Sequence, residues 1–124
     1  MALHTSEQIS VHDLVVEASA RAYQAQGYEV LTRHQPSPRQ FGQEPFDLVV
    51  PELRRIEEIE TELTLDTLDL RRLARCRQAG LQVWVLVPLK QIAVARSRVR
   101  GYVDHLVPFW LTEGKVGFGP PRLP

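Results

Sequence analysis

Ile56-Glu57-Glu58-Ile59-Glu60-Thr61-Glu62 places four carboxylates among seven residues. The β-branched Ile56, Ile59 and Thr61 favour an extended chain, because a second heavy atom on Cβ fits a pleated strand better than a helical turn. Successive side chains of a strand point to opposite faces. Glu58, Glu60 and Glu62 therefore share one face, and Glu57, Ile59 and Thr61 the other. Like charges in a row on one face repel. Water, arginines or a bound cation must offset that repulsion, and the expectation is a cation.

Just upstream, Phe46-Asp47-Leu48-Val49-Val50 reads as an apolar strand with one acid near its start, closed by Pro51. Glu52 to Arg54 is short and turn-like, so the acidic strand, from about Arg55 to Glu62, should return antiparallel as a hairpin partner. Asp47, Glu58 and Glu60 can then converge at one place on the sheet. Converging carboxylates suit a hard cation such as Mg²⁺ or Mn²⁺. Glu57 and Glu62 read as solvated.

The rest of the chain supplies an α/β frame. A first helix opens at Thr5 or Ser10, the latter with Asp13 three residues on as a capping pair, and turns Val11, Leu14, Val15, Ala18, Ala22 and Ala25 inward. Gly27 fits the position just past its end. A strand over Tyr28–Arg33 precedes a proline-bearing loop over Gln35–Pro45. Thr64 or Asp66 caps a second helix with Leu65, Leu68, Leu73, Cys76 and Ala79 buried, ending at Gly80. Gln82–Pro88 is almost wholly apolar, as in a strand covered on both faces and parallel to a neighbour. Leu89–Arg100 reads as a third helix, and Tyr102–Leu111 as a last strand broken by Pro108. The order predicts one α/β domain over residues 1–113, a mixed central sheet with helices on both faces. The Gly/Pro-rich tail, residues 114–124, need not be ordered.

The composition is that of a globular protein: 44% hydrophobic, 24% charged, with no apolar run near the length of a membrane span. The expectation is a chain with no membrane segment. MALHTSEQIS has neither a basic start nor an apolar core, so no signal peptide is expected. The single cysteine, Cys76, fits a reducing cytoplasm. Zero net charge hides an asymmetry. Residues 44–69 hold nine acids against Arg54 and Arg55, while residues 71–122 hold ten bases against Asp104 and Glu113. An acidic centre followed by a basic half suits a metal site beside a phosphate-binding surface.

The acid at a strand start, Asp47, followed by Glu58-Ile59-Glu60 in the next strand, resembles the PD-(D/E)xK nuclease superfamily, whose core is restriction-endonuclease-like. The opening helix with Glu17 ahead of Gly27-Tyr28-Glu29-Val30 is similar to that of the junction-resolvase and type IV restriction branches. The run Val83–Pro88 resembles the strand after the family's second helix. The resemblance implies a metal-dependent nuclease hydrolysing phosphodiester bonds in DNA rather than RNA. Asp47, Glu58 and Glu17 would hold Mg²⁺ or Mn²⁺, and Arg71, Arg72 and Arg75 would hold the backbone. Glu60 stands where the family has its lysine, and would ligate metal or take a proton from water. An inactive nuclease-fold subunit, or an interaction module binding nucleic acid or a protein partner, is the alternative. So short a core would draw further recognition from a partner or a second copy. Without the resemblance, Glu17 reads as a surface pair with Arg21. His4, His12, His34 and His105 lack metal-ligand spacing and read as ordinary surface or core residues, and Trp84 and Trp110 as core.

Overall fold

The computed structural model describes the backbone of residues 2–33 and 45–124, and side chains from residue 11 onward within those ranges. Helix α1 (Ala2–Ala25) is followed by strands β1 (Leu31–Thr32), β2 (Leu48–Val50) and β3 (Arg55–Ile59). Helix α2 (Leu70–Gln78), β4 (Gln82–Pro88), α3 (Ile92–Val99), β5 (His105–Thr112) and β6 (Lys115–Phe118) complete the chain. The six strands form one mixed sheet in sequence order. Parallel pairings join β3, β4 and β5, and antiparallel pairings join β1 to β2, β2 to β3 and β5 to β6.

The apolar run of β4 explains its place at the centre. Val83, Val85, Leu86 and Val87 are all buried, and each such side chain contributes roughly 1.5–3 kcal/mol when fully removed from water. The crossovers β3–α2–β4 and β4–α3–β5 lie on the same face. There Leu73, Ala95 and Val99 pack on Val49, Ile56, Val83, Val85, Val87 and Leu106. Helix α1 covers the other face, with Val15 against Ile59, Leu86, Val107 and Phe109, and with Ala20 and Tyr23 against Leu48 and Val50. The expected mixed α/β sheet with helices on both faces is what forms.

Several local expectations are corrected. Helix α1 begins at Ala2, so Ser10 lies inside it. Its buried side is Val15, Ser19, Ala20 and Tyr23, whereas Leu14, Ala22 and Ala25 face solvent. Ser19 and Tyr23 turn inward because both bond Glu57, a partner that apolar spacing does not reveal. Helix α2 is capped by Asp69, whose carboxylate accepts from the Arg72 amide at 3.1 Å. Thr64 and Asp66 belong instead to the tight turn that precedes it. Strand β1 spans two residues of the six expected. Pro108 does not break β5; its carbonyl accepts from Gly119 at 2.9 Å, so only the missing N–H is lost.

The Gly/Pro-rich tail, which need not be ordered by its composition, supplies β6, paired Trp110 to Gly117 and Phe109 to Phe118. Trp110 is 40% exposed rather than in the core, and its indole lies over Gly117, where a Cβ would meet Nε1 at 2.3 Å. Only glycine permits that approach. The loop read at Gln35–Pro45 and the side chains of Thr5 and Ser10 lie outside the described residues, apart from Pro45 itself. No helix among the described residues is long and apolar enough to cross a membrane.

Candidate functional site

Asp47 immediately precedes β2. The register pairs Leu48 with Glu57 on one side and with Thr32 on the other. One step further places Arg33, Asp47 and Glu58 in a row across three adjacent strands. The row forms a contact network. The Asp47 carboxylate accepts from the Ile59 amide at 2.8 Å and from Arg33 Nη2 at 3.0 Å. From α1, His12 brings Nε2 to 3.1 Å of Asp47 Oδ1. The register also sets the Glu58 carboxyl beside that of Asp47.

Glu58 meets Arg72 of α2, with Nη1 at 3.4 Å from Oε1. The Arg72 guanidinium lies 3.9 Å over the Phe46 ring and donates to the Pro45 carbonyl at 3.0 Å. Phe46 thus acts as a platform that holds the arginine at the rim, a stacking role that a lysine's compact ammonium fills less well. The Asp69 cap fixes the first turn of α2 so that Arg72 reaches the site. Glu60 follows β3, with its amide bound to the Leu86 carbonyl at 2.8 Å. Together His12, Arg33, Asp47, Glu58, Glu60, Thr64, Asp69 and Arg72 line an open cleft of about 230 Å³.

The electrostatics follow from this wiring. Burial raises the Asp47 carboxyl, but hydrogen bonds from His12, Glu58 and the Ile59 amide outweigh it and hold the group well below the usual carboxylate range. Glu58 moves the other way: burial first, then the Asp47 carboxylate beside it, push it up to about 9. Burial also raises Glu60, although a Thr64 hydrogen bond tempers the effect. The hydrogen bond to Asp47 raises His12, against the opposing effect of burial.

Of the residues expected at the site, Asp47, Glu58, Glu60 and Arg72 come together. Glu17 does not line the cleft; it is paired with Arg21 on the exposed side of α1. Arg71 and Arg75 are exposed and outside the cleft. Glu57, read as solvated, is 2% exposed on the opposite face, accepting from Ser19 Oγ at 2.6 Å and from the Tyr23 hydroxyl. Glu62 is exposed.

Sequence reasoning missed His12, Arg33 and Phe46. Arg33 was within reach: pairing the Tyr28–Arg33 strand with the Asp47 strand in register sets it opposite Asp47. His12 carried no such signal, because its approach depends on how α1 lies across the sheet.

The donor chemistry, all carboxylate oxygen, fits a hard cation. Among the described residues, however, no group of three or more His, Cys, Asp or Glu is arranged to hold a metal ion. The repulsion among these carboxylates is here offset by Arg33, Arg72 and His12. No family model, curated protein or solved structure matches this chain.

Proposed function

We propose that the cleft is a phosphodiester-hydrolysing site of the metal-dependent nuclease kind, acting on DNA, on a restriction-endonuclease-like core. The convergence of Asp47, Glu58 and Glu60 between Arg33 and Arg72 carries this reading. Carboxylates suit Mg²⁺ or Mn²⁺, and guanidinium groups suit phosphate oxygens in a bidentate grip.

Asp47 and Glu58 would hold the ion, which, when bound, supplies a lowered water pKa and neutralises a phosphate oxygen. The chain's own residues do the remainder. Arg72 and Arg33, each holding a carboxylate, can exchange that partner for the substrate's phosphate. Glu60, whose carboxyl burial raises, is suited to accept a proton from water. Ile59 donates its amide to Asp47 and keeps that carboxylate aimed into the cleft.

One observation favours a second reading, an inactive nuclease-fold subunit. His12 and Arg33 already contact Asp47, and Arg72 contacts Glu58, so the fold offsets these carboxylates with its own bases. Cleavage of duplex, single-stranded and branched DNA with Mn²⁺, by wild type and Asp47→Asn, decides between them. The nuclease reading expects cleavage by wild type that Asp47→Asn abolishes. Absence of cleavage on all three substrates selects the inactive subunit.

A further inference from the structure

From Leu70 to Val103 the chain contains eight bases and no acid. These residues comprise α2, β4 and α3, and the strand is covered, so the charge lies on the two helices and their ends. Three of the arginines are used within the fold. Arg72 serves the cleft. Arg77 binds the Gly101 carbonyl at 3.0 Å and Asp104 at 3.2 Å. Arg98 donates to the carbonyls of Leu65, Asp66 and Leu68. These bonds lock the two helices side by side: Arg77 ties the end of α2 to the end of α3, and Arg98 ties α3 to the turn before α2.

The other five bases, Arg71, Arg75, Lys90, Arg96 and Arg100, are exposed, and none makes a hydrogen bond or ion pair with a described residue. The acids nearest along the chain lie at the margins. Asp69 caps α2, Asp104 is taken by Arg77, and Asp66 is exposed in the turn before α2. Arg71 and Arg75 are four residues apart on one side of α2, about 6 Å along its axis. Both helices start from the end of the parallel strands where the cleft opens, since α2 follows β3 and α3 follows β4. The basic surface therefore runs back from the cleft lip along two rigid, parallel elements.

We infer that the outer face of α2 and α3 is a docking surface for the phosphate backbone of duplex DNA, with Arg96 and Arg100 extending it beyond the arginines of α2. The choice of partner rests on the reading of the cleft as a DNA-processing site. The contacts are to backbone rather than bases. Arginine and lysine are the exposed charges, and the exposed aromatic residue at this face, Tyr102 beyond α3, stands alone among the described residues of α2, α3 and their connections. Uncompensated positive charge with little stacking surface matches a polyanion read by charge.

The test is binding of a labelled duplex oligonucleotide by fluorescence anisotropy across about 50–200 mM salt, where counterion release gives a log–log slope near −0.9 per phosphate neutralised. Arg96→Ala/Arg100→Ala should weaken binding at low salt and flatten the slope by about 1.8, and Arg71→Ala/Arg75→Ala should do the same. Arg21→Ala/Lys115→Ala removes equal charge elsewhere and should bind like wild type. All substituted arginines are exposed, and unchanged thermal melts confirm the fold. Wild-type affinity and slope in both face variants overturn the inference, even if the cleft cleaves DNA. So does wild type that ignores duplex DNA at low salt, or binds phosphatidylserine vesicles through the same arginines instead. Arginine-dependent duplex binding without cleavage supports the face while removing the catalytic reading of the cleft.

Discussion

Asp47 and Glu58 stand opposite each other on antiparallel neighbours, one step past the last bonded pair of β2 and β3, and their carboxyls are pushed in opposite directions. Their environments push the two carboxyls apart: Asp47 accepts from an amide, a histidine and an arginine, while Glu58 is buried with a single arginine at 3.4 Å. Two like groups this close do not both ionise readily.

A metal ion held by this pair would displace a proton, because Glu58 is pushed up to about 9. On the nuclease reading, Mn²⁺ affinity should rise with pH, and calorimetry in buffers of different ionisation enthalpy should register proton release. Mn²⁺ should also raise the melting temperature, since a ligand that binds only the native state stabilises it. An equal thermal shift in Asp47→Asn and wild type would remove the site.

Stability should decline above neutral pH. The folded His12 value is raised above its ordinary 6.5, so its contribution is complete below that pH and is lost as pH climbs through the raised value. Glu58, raised from 4.5, acts in the same sense. Asp47, lowered from 3.8, contributes above that pH and loses its contribution only in strong acid. Urea midpoints should thus be highest in mild acid. His12→Gln should flatten the decline above 6.5; parallel pH curves for the two proteins would contradict this assignment.

Glu57 holds α1 to β3. Glu57→Ala leaves the Ser19 and Tyr23 hydroxyls without their buried acceptor and should cost about 1–3 kcal/mol in urea unfolding. Glu57→Gln keeps an acceptor and should cost less. Replacing all three with apolar residues of similar shape should recover much of the loss. Glu57→Ala unfolding at the wild-type midpoint would show that this clamp carries no stability.

At Glu60 the prediction concerns turnover. If Glu60 takes the proton, Glu60→Gln should cut cleavage by about 10²–10⁴-fold while metal binding persists. Equal cleavage by both would leave the water to the metal alone. If wild type is inactive, Glu60→Lys, which places a lysine where the nucleases that the sequence resembles carry one, is the variant in which activity should emerge.

The sequence by itself determined the α/β class, the hairpin at Pro51 and the face shared by Glu58 and Glu60. Those features follow from local periodicity and turn chemistry, which operate over a few residues. Tertiary structure decided the rest. Whether Glu57 meets water or Ser19 and Tyr23 depends on a helix some 35 residues upstream, and the same helix brings His12 to Asp47 while leaving Glu17 outside. The tail's pairing as β6 depended on a neighbouring strand able to accept Gly117 beneath Trp110. Cross-strand partners and helix rotation are set by packing over the whole sheet, and no window of sequence contains them.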